Sequence, residues 1–492
     1  YSAQLQKIKA RIALHQVYGV DLNAQAVELA EISLWLDTMT ADLQAPWYGL
    51  HLRRGNSLIG ARYAVYSPGD LVKKAWQKKA PSRMRPGETI EGGVFHFLLP
   101  SLSWGAEADT KHVKDIAADE AKALKTWRSK IRGAIPKVTG KRLEGLSGRV
   151  EALWRFAAAR IAIAEAQVGR DITIWGQPEP VQPREAVTRA QIEAELFGNP
   201  DSPYQRLRLV ADAWCALTFW PLDQGQCVVN GQVVEPPSLD EWVNTVEALV
   251  GVPEQKPSRS RHGKQIEGQL SFSDLSWDDL GTAEDVDLGM HQAKPVHEVV
   301  VEHPWLEVCR KVAGAQGFFH WDLDFASVFA AGGFDLQVGN PPWVRPNTDV
   351  DELYAETDPW FVLAHKPSQE EVKAKRARAN EDARTREIVL AGAGEVAATA
   401  AVLRNSADYP YQGGRPNLYR AFMEQTWGNA SSQGVVGLIH PDTHFTDPKT
   451  PVLREGAYRR LRRHWHFINE LMLFGIDDHV QYSVSVYGAR RE

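Results

Sequence analysis

Apolar positions along the chain follow two rhythms. Residues 16–21 form a short apolar run ending in an acid, and over 24–40 Val27, Ala30, Leu34 and Trp35 recur at helical spacing. This predicts a strand followed by a helix. Leu50-His51-Leu52 predicts a further strand running into Gly55-Asn56-Ser57-Leu58, and the β-α-β rhythm predicts a parallel sheet covered on both faces. From about 61 to 317 the alternation stops. Long helical stretches at 111–135 and 142–168, with Trp-rich segments, predict an inserted, mainly helical region. Within it, 251–289 is rich in Ser, Lys, Gln, Asp and Gly and poor in apolar residues, which predicts a flexible linker.

Alternation resumes at 334–339, a strand closed by Asn340-Pro341-Pro342-Trp343, where consecutive prolines must end the ladder. A polar helical stretch over 367–404 follows. A helix at 417–427, a buried strand at 434–440, a basic helix near 453–465 and a hairpin-like pair at 466–474 and 480–487 complete the pattern. The expected organisation is a core in three pieces, 1–60, 318–345 and 413–492, interrupted by helical insertions at 61–317 and 346–412.

At 492 residues the chain exceeds one ordinary hydrophobic core, in keeping with an interrupted domain. Hydrophobic residues make up 43% and charged residues 24%, which excludes wholesale disorder. The net charge of −6 confines any nucleic-acid contact to local patches. Cys215, Cys227 and Cys309 form no C-x-x-C pair, which fits a reducing cytoplasm and predicts neither a disulfide framework nor a zinc knuckle. No apolar run reaches the roughly 18 residues that span a bilayer, so no membrane partner is expected.

Three groups carry candidate chemistry. Asp21 ends a strand, where an acid can accept hydrogen bonds from both hydroxyls of a ribose, while Asn23 suits the cap of the next helix. Asn56 and Ser57 end the following strand, where a side-chain amide can pair with an adenine edge; an ordinary Asx turn is the competing reading. The most specific group is Asn340 to Trp343. An exocyclic amine of adenine is a poor nucleophile because its lone pair is delocalised into the ring. Two acceptors, the Asn340 side-chain oxygen and the Pro341 carbonyl, can draw the amino hydrogens apart and aim the lone pair, and Pro342 stiffens the carbonyl's direction. Trp343 offers a flat face to an extruded base.

These residues resemble a known family. Gly19-Val20-Asp21-Leu22-Asn23, Gly55-Asn56-Ser57-Leu58-Ile59-Gly60, Trp321-Asp322-Leu323-Asp324-Phe325 with Val328-Phe329, and Gly333-Phe334-Asp335 leading to Asn340-Pro341-Pro342-Trp343 look like successive motifs of large adenine-specific DNA methylases. These are the methylases of type IIG restriction-modification enzymes and of the BREX (phage-growth-limitation) and DISARM defence systems. Asn417-Leu418-Tyr419 with Phe422, and 434–441, are similar to the motifs that follow the catalytic loop.

The resemblance implies a class I S-adenosylmethionine-dependent methyltransferase, a Rossmann-like doubly wound sheet with a large helical insertion. Asp21 would hold the cofactor ribose, Leu22 would flank its adenine, Asn56 and Ser57 would meet the adenine edge, and Asn340, Pro341, Pro342 and Trp343 would hold the target base. Double-stranded DNA and other subunits of a defence system are the implied partners; no metal is expected. Asn56 stands where the family usually has Asp, and the glycine-rich cofactor loop, with its strand, is expected upstream of Tyr1. The alternatives are an RNA or protein-glutamine methyltransferase with the same loop, and a non-catalytic DNA-binding subunit.

Other signals fit poorly. The G-x-G-x-x-A pattern at 392–397 lies in an alanine-rich helical stretch, and Pro448 denies a strand to the nuclease-like Asp447-Pro448-Lys449. The basic clusters at 373–386 and 454–463 are read first as solvated helix faces, the second also as a candidate phosphate grip.

Overall fold

A computed structural model of the chain describes residues 2–39, 46–88, 90–110, 116–168, 187–253 and 275–492, together with 112, 172 and 174–176. After the helix Ser2–Gln16, strand β1 (Gly19–Asp21) leads into the helix Ala24–Thr38, capped by Asn23, whose side chain accepts from the Gln25 N–H. Strand β2 (Leu52–Arg54) pairs with β1 in parallel, Gly19 opposite Leu52 and Asp21 opposite Arg54. Ala13, Leu14, Tyr48 and Leu52 are buried together beneath this pair.

The stretch from 61 to 317 is mainly helical. Strands β3 (Ala64–Tyr66), β4 (Ser82–Arg83) and β5 (Val94–Phe95) form a small antiparallel sheet, and β6 (Val228–Val229) and β7 (Gln232–Val233) a short hairpin. Around them the helices Lys137–Val168, Pro203–Ala216, Leu239–Val250 and Trp305–Gln316 pack into the largest core. Three of its buried tryptophans have their indole N–H groups satisfied by backbone: Trp104 donates to the Trp214 carbonyl at 2.8 Å, Trp214 to Leu99 at 2.8 Å and Trp242 to Leu98 at 2.9 Å.

The linker expected over 251–289 needs correction at its end. Residues 254–274 lie outside the described residues, but Trp277–Met290 is a helix capped by Ser276. Trp277, Leu280 and Leu288 bury one side of it, and Arg160 clamps it through Glu284 at 2.9 Å. Its many acids hid this sparse apolar stripe from a compositional reading.

Both ends of this helical stretch are fastened to each other. Asn56 N donates to the Gly317 carbonyl at 2.6 Å and Phe319 N to the Ile59 carbonyl at 3.0 Å. Ala61 N donates to His320 Nδ1 at 2.9 Å and Tyr63 N to Asp322 Oδ2 at 3.2 Å. The approach is so close at Gly60 that a Cβ there would fall 1.9 Å from the Phe319 carbonyl oxygen, so only glycine fits.

Strand β8 (Phe334–Gly339) pairs in parallel with β9 (Ala430–Pro441), with the helix Leu418–Asn429 leading into β9. Strands β10 (Leu461–Ile468) and β11 (Gln481–Tyr487) complete the sheet in the order β10-β11-β9-β8, both pairings of β11 being antiparallel. The basic helix stops at Arg460 rather than near 465, because Leu461–Ile468 is drawn into the ladder with β11. The pattern at 392–397 lies within the helix Ala383–Arg404.

The architecture is mixed α/β with several small sheets. The strands expected in one doubly wound sheet form two ladders among the described residues, β1–β2 and β8 to β11. An aromatic cluster joins their starts: Tyr18, just before β1, meets Phe334, the first residue of β8, with ring centroids 5.7 Å apart. No helix among the described residues is long and apolar enough to cross a membrane.

Candidate functional site

The four residues assigned to a cofactor come together at the carboxyl ends of β1 and β2. Gly55 N donates to the Asp21 carbonyl at 2.8 Å, locking the two strand exits side by side. Because Asn23 serves as helix cap, the Asp21 carboxylate is not needed there; it is exposed, and its Oδ1 accepts from Asn23 N at 2.7 Å. Leu22 is 50% exposed, an apolar side chain open to a flat ligand at this edge. Asn56 Oδ1 accepts from Leu58 N at 3.2 Å, which is an Asx turn, and the turn leaves the amide NH2 as the group able to meet an acceptor. The Ser57 carbonyl is held by Trp321 Nε1 at 2.9 Å. This donor and acceptor set fits the ribose and adenine of an adenosine-bearing cofactor.

Asn340 to Trp343 leave the carboxyl end of β8. Asn340 is exposed and Pro341 buried, so the turn is anchored beneath while the amide faces solvent. Trp343 is half-buried: its Nε1 donates to the Ile439 carbonyl at 3.3 Å, and its ring lies 4.8 Å from Phe474 and 5.6 Å from Tyr482. Leu418 N donates to the Val344 carbonyl at 2.9 Å, which joins the loop to the helix that Asn417 caps. Trp343 also packs against the cluster of Tyr419, Met423, Val436, Leu438 and Tyr487, so the segments around 340, 418 and 436 form one unit.

The Asp21 group and the Asn340 group thus sit on different ladders, related through the aromatic cluster at the strand starts. Between them the segment Trp321–Asp324 is structural. Asp322 pairs with Arg62 at 3.2 Å, and Asp324 receives Arg208 at 2.7 Å. Burial works against a charge on Asp324, yet Arg208, Arg53 and His320 together hold its carboxyl below the usual carboxylate range.

The basic clusters are largely engaged within the protein. Lys375 pairs with Asp358 and Arg376 with Asp351, each at 2.7 Å, and Arg460 lies over the Trp427 ring at 4.8 Å. Arg463 is exposed.

One grouping escaped the sequence reading. Asp442, just past β9, lies 2.7 Å from His466 and 3.8 Å from His464, both on β10. Its only trace in the sequence is the alternation His464-Trp465-His466, which puts both imidazoles on one face of a strand. No protein-family model, curated protein or solved structure matches the chain.

Proposed function

We propose that this chain is the core of an S-adenosylmethionine-dependent methyltransferase that methylates N6 of a flipped adenine in double-stranded DNA. The observation that carries this reading is positional. Asp21, Asn56 and Asn340 each stand at or just past the carboxyl end of a parallel strand, the edge at which open α/β sheets bind their ligands. The doubly wound order 3-2-1-4-5 accounts for the two ladders as well: β2-β1 take the places of strands 3 and 2, and β8-β9 those of 4 and 5. Under this reading the place of strand 1 lies between β1 and β8. β8 is the terminal strand of its ladder among the described residues, which suits a strand with a further neighbour to meet, and Leu336 and Val338, 65% and 80% exposed, leave one of its faces uncovered.

The cofactor supplies a methyl group on a sulfonium, and the protein supplies position. The Asn340 side-chain oxygen and the Pro341 carbonyl accept the two amino hydrogens of the target adenine and turn its nitrogen lone pair toward that methyl. Trp343 stacks on the base, which offsets by about 1–3 kcal/mol the few kcal/mol spent on extruding it. As the nitrogen takes the methyl, the bond from that carbon to sulfur would break and leave a neutral thioether; the resulting ammonium would lose its proton to water, so the step rests on alignment rather than on a protein base. A cytoplasmic role in restriction-modification or phage defence, with other subunits, is part of the proposal.

The test is a methyl-transfer assay on the full-length protein with labelled S-adenosylmethionine, comparing duplex DNA, RNA and protein acceptors. Label appearing as N6-methyladenine in duplex DNA supports the reading. Label confined to RNA or protein, or no transfer with any acceptor, overturns it.

A further inference from the structure

We propose that Asp442, His464 and His466 form a binding site for a divalent transition-metal ion, zinc by its ligand set, where β9 gives way to its exit turn. The site is independent of the methyltransferase reading. The strand order β10-β11-β9 creates it. His464 and His466 stand two residues apart on β10 and so share a face, opposite Ser485 and Ser483 of β11; Ser483 in turn faces His440, and Asp442 follows His440 by two residues. Three ligands, two on β10 and one just past the end of β9, therefore converge on one patch.

Their ligand atoms all lie within 4.8 Å of one another. With metal–ligand bonds of about 2.0–2.2 Å, a tetrahedral ion separates its ligand atoms by about 3.3 Å. The observed spacings of 2.7 Å and 3.8 Å from Asp442 Oδ2 to the two imidazoles straddle that value. Two imidazole nitrogens and one carboxylate are the borderline donor set that zinc and its neighbours prefer over calcium or magnesium.

Two details separate this site from a plain His466–Asp442 ion pair. First, Ser485 Oγ lies 3.1 Å from His464 Nδ1, so the tautomer with hydrogen on Nδ1 donates to the serine and presents Nε2 to the cluster. Both imidazoles thus face the one carboxylate, which a pair of His466 with Asp442 alone does not require. Second, the Asp442 carboxylate is largely buried and its Oδ1 receives no hydrogen bond, so whatever balances its charge must gather at Oδ2, the oxygen that faces both imidazoles. Phe445 closes one side with its ring 5.3 Å from that of His464, while His466, 46% exposed, leaves a coordination position open to water.

The full-length protein, stripped with a chelator, is titrated with Co2+ and then with Zn2+. The expected result is one equivalent of Co2+ with the visible absorption of a four- or five-coordinate ion, displaced stoichiometrically by Zn2+. Ser485→Ala weakens binding by about 10–100-fold, and His464→Ala or His466→Ala by more. Both histidines are exposed enough for these variants to fold even if Ser485→Ala does not. His479→Ala, in the fully exposed Asp477-Asp478-His479 cluster, leaves binding unchanged. Absence of saturable binding, wild-type affinity in both histidine variants, or loss of binding in His479→Ala would overturn the proposal.

Discussion

Asp324 Oδ1 lies 2.7 Å from Arg208 Nη1, across 116 residues of chain, and the aspartate is wholly withdrawn from solvent. Tyr204 donates to the same oxygen at 2.5 Å, and Asp324 Oδ2 accepts from His320 N at 2.9 Å. The helix Pro203–Ala216 is thereby latched to the segment that precedes β8.

Removing Asp324 leaves Arg208 with only the Asp212 carboxylate, at 3.6 Å, and takes from Arg53 the carboxylate that it meets at 3.6 Å. Asp324→Ala is expected to cost about 3–5 kcal/mol, read by denaturant unfolding, whereas Asp324→Leu combined with Arg208→Leu should recover a large part of that loss. Equal destabilisation in the single and double variants would show that the pair is not coupled.

Glu424 gives a pH signature of opposite sign to an ordinary ion-paired acid. It is buried, and burial pushes its carboxyl up to about 7, although Tyr411 N donates to it at 3.1 Å. A folded-state value above the unfolded one means that the contribution is fully present below about 4.5 and is lost as pH rises through about 7. Glu424→Gln should flatten the fall in melting temperature between those pH values. An unchanged slope would assign it to other groups.

Asn340→Ala should abolish methyl transfer yet change unfolding free energy by no more than about 0.5 kcal/mol, because the side chain is exposed. Turnover near that of the unaltered protein would remove Asn340 from the reaction.

Trp343→Ala should weaken capture of an extruded base by about 1–3 kcal/mol, while Trp343→Phe and Trp343→Tyr retain most of it. Binding to duplexes carrying a mismatch at the target, which lowers the cost of extrusion, separates stacking from packing. If all three variants behave alike, the ring serves only its contacts with Phe474 and Tyr482.

What the sequence made legible was local. The apolar run into Asn340-Pro341-Pro342 required a strand with an abrupt end, and β8 stops at Gly339. Asn23, a favoured capping residue just before Ala24, was likewise legible as the helix cap, and the structure gives it that place. What escaped depends on pairing over distance. Leu461 joins β10 because Tyr487 lies opposite it, and no feature of 453–465 alone announces that. Asp442 meets His466 only because β11 lies between β9 and β10, and Asp324 meets Arg208 only because a helix far away in sequence packs there. In Trp277–Met290, few apolar positions among many acids were enough, since the core supplies the rest of the contact.

The fastening of Asn56–Tyr63 to Gly317–Asp322 acts like the seam of a purse. Once the seam is closed, the strands on either side no longer register how much chain lies inside. Doubling an enclosed loop adds only about 0.6 kcal/mol of closure entropy, far less than the seam and the buried pairs beside it supply. Loops within the helical stretch behind Gly60 are therefore free to lengthen while the edge bearing Asp21 and Asn340 stays where it is, provided that Arg62 and Arg208 keep their grip on Asp322 and Asp324.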